Sequence, residues 1–100
     1  MSHTAVLRVP DLRAALALAL DAFEAEHGQE VVVAHDHYWH LPVAASFDLS
    51  REPTDLTVGQ VSDDLTEIEG LLAAGEAQPA WHSLNHAIGL LRLLEATARP

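Results

Sequence analysis

The chain contains no cysteine and no lysine, and its five basic residues are all arginine. Without cysteine, it can form no disulfide bond, no zinc–thiolate site and no thiol nucleophile. Fifteen acidic residues give a formal net charge of −10 at pH 7. Nucleic acids and anionic membranes bind basic patches, so we expect neither as a partner.

Long hydrophobic runs are also missing. The apolar stretch Ala14–Leu20 is too short to span a bilayer, and charged residues flank it on both sides. We therefore interpret it as part of a helix rather than as a secretory leader, and we expect a cytoplasmic protein. A chain of 100 residues suits one domain, so we predict a single α+β domain over residues 1–100.

A first helix is predicted over residues 11–27. Pro10 marks its start, Asp11 is positioned to cap free backbone amides, and Gly28 is a typical residue just beyond a helix end. Its apolar residues recur at helical spacing and predict a core-facing stripe. This stripe consists of Leu12, Leu16, Ala19, Leu20 and Phe23.

Two further helices are predicted in the second half of the chain. Thr57 is the expected N-cap of the first of them, with Gln60 completing a capping box, and Gly75 ends it. Pro79 then precedes a helix over residues 80–98. The predicted buried residues are Val58, Val61, Leu65, Ile68 and Leu72 in one helix, and Trp81, Leu84, Ile88, Leu91 and Leu94 in the other. The predicted solvent-facing residues of the former are Asp63, Asp64, Glu67 and Glu69.

Strands are few. Residues 30–38 contain three consecutive valines and predict a strand, and residues 4–9 predict a second, shorter one. An isolated pair of strands is only marginally stable, so either helices cover this sheet or a second copy completes it as a homodimer. The connection over residues 40–56 carries Phe47 and Leu49, and we expect it to pack down onto the core.

Two histidine pairs have spacings that suit metal binding. His35 and His37 would share one side of a strand, and His82 and His86 would share one face of a helix. Each pair places two nitrogens within reach of one divalent ion. Histidines at strand ends and helix margins more often bond to the backbone or to carboxylates, or simply face water. We therefore expect no cofactor, and metal binding by these four residues is the minor alternative.

Asp63, Asp64 and Glu67 form an acidic group at the start of a predicted helix. Paired carboxylates suit acid–base chemistry, but the helix dipole favours acidic residues in a first turn without any catalytic role. Gly59 is costly in a helix, which indicates close backbone approach, and we expect its contact to be with the strand or with Trp39.

Tyr38 and Trp39 are adjacent, so a strand directs them to opposite faces. One ring is expected to enter the core while the other remains near the surface. We predict that Trp39 is partly buried under the 40–56 connection, with its exposed edge available for binding.

Two segments carry a family resemblance: Asp36-x-Tyr38-Trp39 and Thr57-Val58-Gly59-Gln60-x-Ser62-Asp63-Asp64. They resemble an Asp-x-Tyr-Trp strand end and a Thr-(Val/Ile)-Gly-Gln-Leu-Ser-Asp-Asp helix start in a family of small bacterial proteins without an established activity. Val61 stands where leucine is usual, and His37 and His40 are not part of the pattern. The resemblance implies a shared fold and a shared surface formed by Tyr38, Trp39, Gly59, Gln60, Ser62, Asp63 and Asp64.

These observations favour a non-enzymatic module that binds a protein partner. The acidity of the chain suits a basic partner. An adaptor, antidote or immunity protein fits this description. The rival hypothesis is a small metal-dependent or acid–base enzyme that uses the histidines with Asp63 or Asp64. A third hypothesis, an acidic mimic of nucleic acid, requires carboxylates spaced regularly over one surface.

Overall fold

The computed structural model describes residues 5–77 and 79–100. In chain order the elements are α1 (Val9–His27), β1 (His37–His40), α2 (Val43–Ser46), β2 (Thr57–Gln60), α3 (Val61–Ala74) and α4 (Ala80–Ala98). The predicted α+β class is confirmed. The chain divides into one unit up to Val32 and a second from Val33 onward. None of the helices in the described ranges has the length and apolar character needed to cross a bilayer.

The first unit contains α1. This helix begins at Val9, two residues earlier than predicted, with Pro10 in its first turn. Asp11 does not cap it. Its carboxylate instead pairs with Arg8, which precedes the helix, and Nε of Arg8 and Oδ2 of Asp11 are 3.3 Å apart. Gly28 ends the helix at a φ of 84°, in the region that favours glycine.

The predicted strand over residues 4–9 is wrong where the structure describes it, and the one over residues 30–38 is wrong in extent. Residues 5–8 have no regular structure and Val9 is helical, whereas Thr4 lies outside the described residues. Of the predicted strand over residues 30–38, only His37 and Tyr38 belong to β1. A run of valines forms a strand only where a partner strand accepts its hydrogen bonds, and the partner here is four residues long.

That partner is β2, which pairs antiparallel with β1. Tyr38 lies opposite Gly59, and Trp39 lies opposite Val58. The predicted helix start at Thr57 is therefore wrong, and α3 begins at Val61. Residues 57–60 pair with β1, so no capping box forms there, and the Thr57 hydroxyl donates to the carbonyl of His40 at 3.2 Å.

The later helix boundaries agree with the prediction. Gly75 ends α3 in the left-handed conformation, and Pro79 immediately precedes α4. The 40–56 connection contains the one-turn helix α2. The prediction that it packs down is wrong, since Phe47 and Leu49 are both exposed.

Helices α3 and α4 pack against each other, and their contact is more polar than predicted. Among the described residues, the buried apolar side chain is Val61, and the buried polar ones are Asp64 and Ser83. Asp64 was predicted to face solvent. Several predicted core residues are instead exposed: Val58, Leu65, Leu72, Trp81, Leu84 and Ile88. The packed surface of α4 carries small and polar residues, among them Ser83 and Gly89.

Candidate functional site

Asp36 joins β1 to the start of α3. Its backbone carbonyl accepts from the Val61 N–H at 2.7 Å. Its carboxylate accepts from the Ser62 N–H at 2.7 Å and from the Ser62 hydroxyl at 2.9 Å. Asp36 therefore caps α3 from a position far away in sequence. The Ser62 N–H, followed by the Ser62 hydroxyl, lowers the pKa of Asp36, because both bonds favour the charged carboxylate.

Tyr38 makes the second link between the strand and the helices. Its hydroxyl donates to Oδ2 of Asp64 at 2.6 Å, and Oδ1 of the same carboxylate lies 2.7 Å from Nδ1 of His86. Asp64 is 3% exposed, so α3 supplies a buried carboxylate that holds one residue of β1 and one of α4. Burial first, and then the bond to Asp64, raises the pKa of Tyr38. The phenol therefore keeps its proton and acts as the donor.

Two glycines make room for the tip of Tyr38. A Cβ added at Gly59 would come within 3.0 Å of three atoms of the phenol. A Cβ added at Gly89 would overlap the Tyr38 hydroxyl and lie 2.6 Å from Oδ2 of Asp64. The predicted close approach at Gly59 to the strand is observed, but the ring in contact is that of Tyr38 rather than Trp39, and Gly59 lies in β2 rather than in a helix.

Beside this network lies a second cluster between α3 and α4. The Ser83 hydroxyl donates to Oε1 of Glu67 at 3.1 Å, and Nε2 of His82 lies 3.5 Å from Oε2 of Glu67. The imidazoles of His82 and His86 meet edge to face, with ring centroids 4.7 Å apart. Their predicted placement on one helix face is therefore what is observed, and that face is directed at α3.

A groove of about 190 Å³ runs beside the Tyr38 network. Tyr38, Asp64 and His86 border it, together with His40 and Asn85, whose Nε2 and Oδ1 atoms are 3.0 Å apart. The groove gives a small molecule or a peptide side chain access to the edge of the network.

No known protein family, curated protein or solved structure matches this chain. The family resemblance drawn from the two motifs therefore stays a prediction.

The predicted interaction surface divides between two environments. Tyr38, Gly59 and Asp64 belong to the inner network, and Gln60 is half-buried, with its amide nitrogen 2.8 Å from Nε2 of His37. Facing solvent are Trp39, Ser62 and Asp63. Partial burial of Trp39 under the connection was wrong, since this residue is 73% exposed. Because strand residues alternate, burial of Tyr38 directs its neighbour outward.

His35 and His37 do not join the helical pair, and only His37 lies in β1. Within residues 5–77 and 79–100, the group of side chains close enough to share an ion is Glu67, His82 and His86. His35 and His37 instead border a separate cavity of about 250 Å³, together with Arg92.

Sequence reasoning missed the roles of Asp36, Ser83 and Gly89. For Asp36 a signal was available, because Asp36 and Tyr38 are two apart in one motif and Ser62 and Asp64 are two apart in the other. The observed bonds join these residues in matching order, Asp36 to Ser62 and Tyr38 to Asp64. For Gly89 the signal was a glycine in the interior of a predicted helix.

Replacing Asp36 with asparagine should lower the melting temperature at pH 7 by a few degrees, because the α3 cap loses its charge. The folded-state pKa is lowered, so this stabilisation is present above the unfolded-state pKa of about 4 and is lost as pH falls through the folded value. The difference between wild type and Asp36→Asn should therefore shrink on acidification below pH 4, as thermal melts would measure. Asp63→Asn, an exposed carboxylate in the same turn, is the control. A difference that stays constant with pH would contradict the assignment.

Proposed function

We propose that this chain is a protein-interaction module whose contact surface is centred on Trp39. The observation that carries the proposal is the paired exposure of Trp39 and Val58, at 73% and 57%, directly opposite each other on the outward face of the sheet. A tryptophan buries a large apolar area when a partner covers it, and tryptophan is enriched among residues that dominate binding energy.

The inner network supports this role because it holds the strand that carries Trp39. Tyr38 is anchored by Asp64 and lies against Gly59 and Gly89, and Asp36 ties the start of the strand to Ser62. A side chain on a strand that is held at Asp36, just before β1, and at Tyr38 loses little freedom on binding. Such pre-organisation strengthens an interface without adding contacts.

The partner we propose is a protein with basic groups around an apolar pocket that accepts Trp39. Four arginines are already paired with nearby carboxylates: Arg8 with Asp11, Arg51 with Asp48, and both Arg92 and Arg99 with Glu95. The chain has a net charge of −10, and few unpaired arginines interrupt its acidic surface. Complementary charge speeds encounter and repels like-charged molecules, which favours a basic partner over a second copy of this chain.

The enzyme alternative rests on the contact between Asp64 and His86 beside the groove. An imidazole oriented by a carboxylate is a common acid–base arrangement. Here the same carboxylate also accepts from Tyr38, and its position between β1, α3 and α4 accounts for it as a structural link. We therefore favour the interaction module. The expected cytoplasmic location stays a prediction.

Trp39→Ala should weaken partner binding by at least about 30-fold, equivalent to roughly 2 kcal/mol, because an anchoring aromatic is lost. A photo-crosslinking residue in place of Val58, which lies directly opposite Trp39 and is exposed, would identify the partner in the source cells while Trp39 stays intact. Isothermal titration with the purified pair would then measure affinity at low and high salt. We expect a basic partner and weaker binding in high salt.

Trp81→Ala is the matched control, since Trp81 is 70% exposed but lies on α4. Its affinity should remain near that of wild type. Crosslinking from position 81 but not from position 58, or unchanged affinity of Trp39→Ala, would refute the surface assignment. Sedimentation velocity provides a further check, because a dimer dissociated by Trp39→Ala would make a second copy the occupant.

A further inference from the structure

Three potential metal ligands from two helices converge beside the Tyr38 network. One ligand atom each from Glu67, His82 and His86 lies within 4.8 Å of the others. Oε2 of Glu67 and Nε2 of His82 are 3.5 Å apart. Tetrahedral zinc places neighbouring ligand atoms roughly 3.4 Å apart, so small side-chain rotations suffice to close the set around one ion.

Hydrogen bonds from neighbouring residues orient two of these ligands, as they do in metal sites of known proteins. The Ser83 hydroxyl holds Oε1 of Glu67, which leaves Oε2 directed at His82. The Asp64 carboxylate engages Nδ1 of His86 at 2.7 Å. A carboxylate only accepts, so Nδ1 carries the proton and Nε2 of the neutral imidazole keeps its lone pair. Histidines that bind metals are commonly held by a carboxylate in this way.

We propose that Glu67, His82 and His86 bind one divalent ion of the zinc class. Two imidazoles and one carboxylate suit Zn²⁺ and its neighbours in the transition series, whereas Mg²⁺ and Ca²⁺ prefer all-oxygen sites. The side chains of His86 and Glu67 are 18% and 26% exposed, and that of His82 is 44% exposed. The ion is therefore reached from solvent on the His82 side, where a water molecule completes its coordination.

This site is independent of the Trp39 surface, since it lies between α3 and α4 and uses none of the outward residues of the sheet. It also accounts for the polar residues in the contact between α3 and α4, which apolar packing does not explain. Metal bound there links the two helices directly, so it should raise the melting temperature of the protein.

Titration of tag-free, chelator-treated protein with Zn²⁺ in a calorimeter tests the proposal. We expect one ion per chain, with Mg²⁺ and Ca²⁺ unable to compete. His82→Ala and Glu67→Gln should each weaken Zn²⁺ binding by roughly 100-fold, and Asp64→Asn by roughly 10- to 100-fold through loss of the partner of His86. His82 is partly exposed, so its alanine variant is expected to fold, and circular dichroism checks the helix content of each variant.

His37→Ala and Glu69→Gln are the matched controls, one histidine from the sheet and one exposed carboxylate from α3. Both should bind Zn²⁺ as wild type does. In NMR spectra the imidazole resonances of His82 and His86 should shift on addition of Zn²⁺. The proposal is overturned by absence of stoichiometric binding, by binding that survives His82→Ala, or by binding that is lost in His37→Ala.

Discussion

Replacing Gly89 with alanine should lower the free energy of unfolding by about 2–4 kcal/mol, although alanine is the better helix former. The new Cβ would overlap the Tyr38 hydroxyl and crowd Oδ2 of Asp64. Tyr38 has little room to retreat, because its tip also lies against Gly59. The clash therefore either displaces the ring or breaks its bond to Asp64. Urea or guanidinium unfolding measures the change.

Gly70→Ala is the matched control, since Gly70 also lies inside a helix and a Cβ added there meets nothing within 4 Å. That variant should be more stable than wild type by about 0.5–1 kcal/mol. Removing the hydroxyl by Tyr38→Phe should rescue part of the Gly89→Ala loss, so the double variant should be less destabilised than the sum of the two. Equal stabilisation by both alanine substitutions would show that Tyr38 does not lie against α4.

The opposite signs expected for these two glycines illustrate what sequence reasoning can reach. Gly28, Gly75 and Pro79 act locally, through their own backbone conformation, and the helix ends they predict are observed. Gly89 has no local role. Its purpose depends on a tyrosine about 50 positions earlier in the chain, which no local pattern reveals.

The misassigned segment at 57–60 has the same cause. Thr57 and Gln60 have the spacing of a capping box, but β1 offers residues 57–60 a partner strand, and they pair with it instead. The cap of α3 then comes from Asp36, across a separation of 26 residues. Local propensity was overridden by a distant contact.

The candidate site was predicted in part for similar reasons. The helical spacing of His82 and His86 placed both on one face, and this is observed. The sequence does not show which carboxylates of α3 contact these histidines, because the acidic residues are spread over more than half of the helix circumference. Asp63, Asp64 and Glu67 all belong to the predicted acidic group, and the two that contact α4 are Asp64 and Glu67. Helix-to-helix orientation decides this choice, and it is a property of tertiary packing.

Asp64→Ala should destabilise the protein by about 2–4 kcal/mol, measured by denaturant unfolding in the presence of a chelator. The substitution removes the acceptor for the Tyr38 hydroxyl and the partner of His86 Nδ1. Tyr38 and His86 are both half-buried, and a partly buried polar group that loses its partner costs more than the bond that held it was worth. Loss of the carboxylate also leaves a gap between β1, α3 and α4.

Asp63→Ala is the control, because Asp63 precedes Asp64 in the same first turn but is exposed. Both residues interact with the dipole of α3, so the control should lose less than about 1 kcal/mol, and the difference between the variants isolates the network. Asp64→Asn should fall between them, since an amide oxygen still accepts from Tyr38. If alanine at positions 63 and 64 proved equally costly, the dipole alone would explain both carboxylates. A much larger loss at position 64 would identify Asp64 as the residue that ties the strand bearing Trp39 to the helix pair.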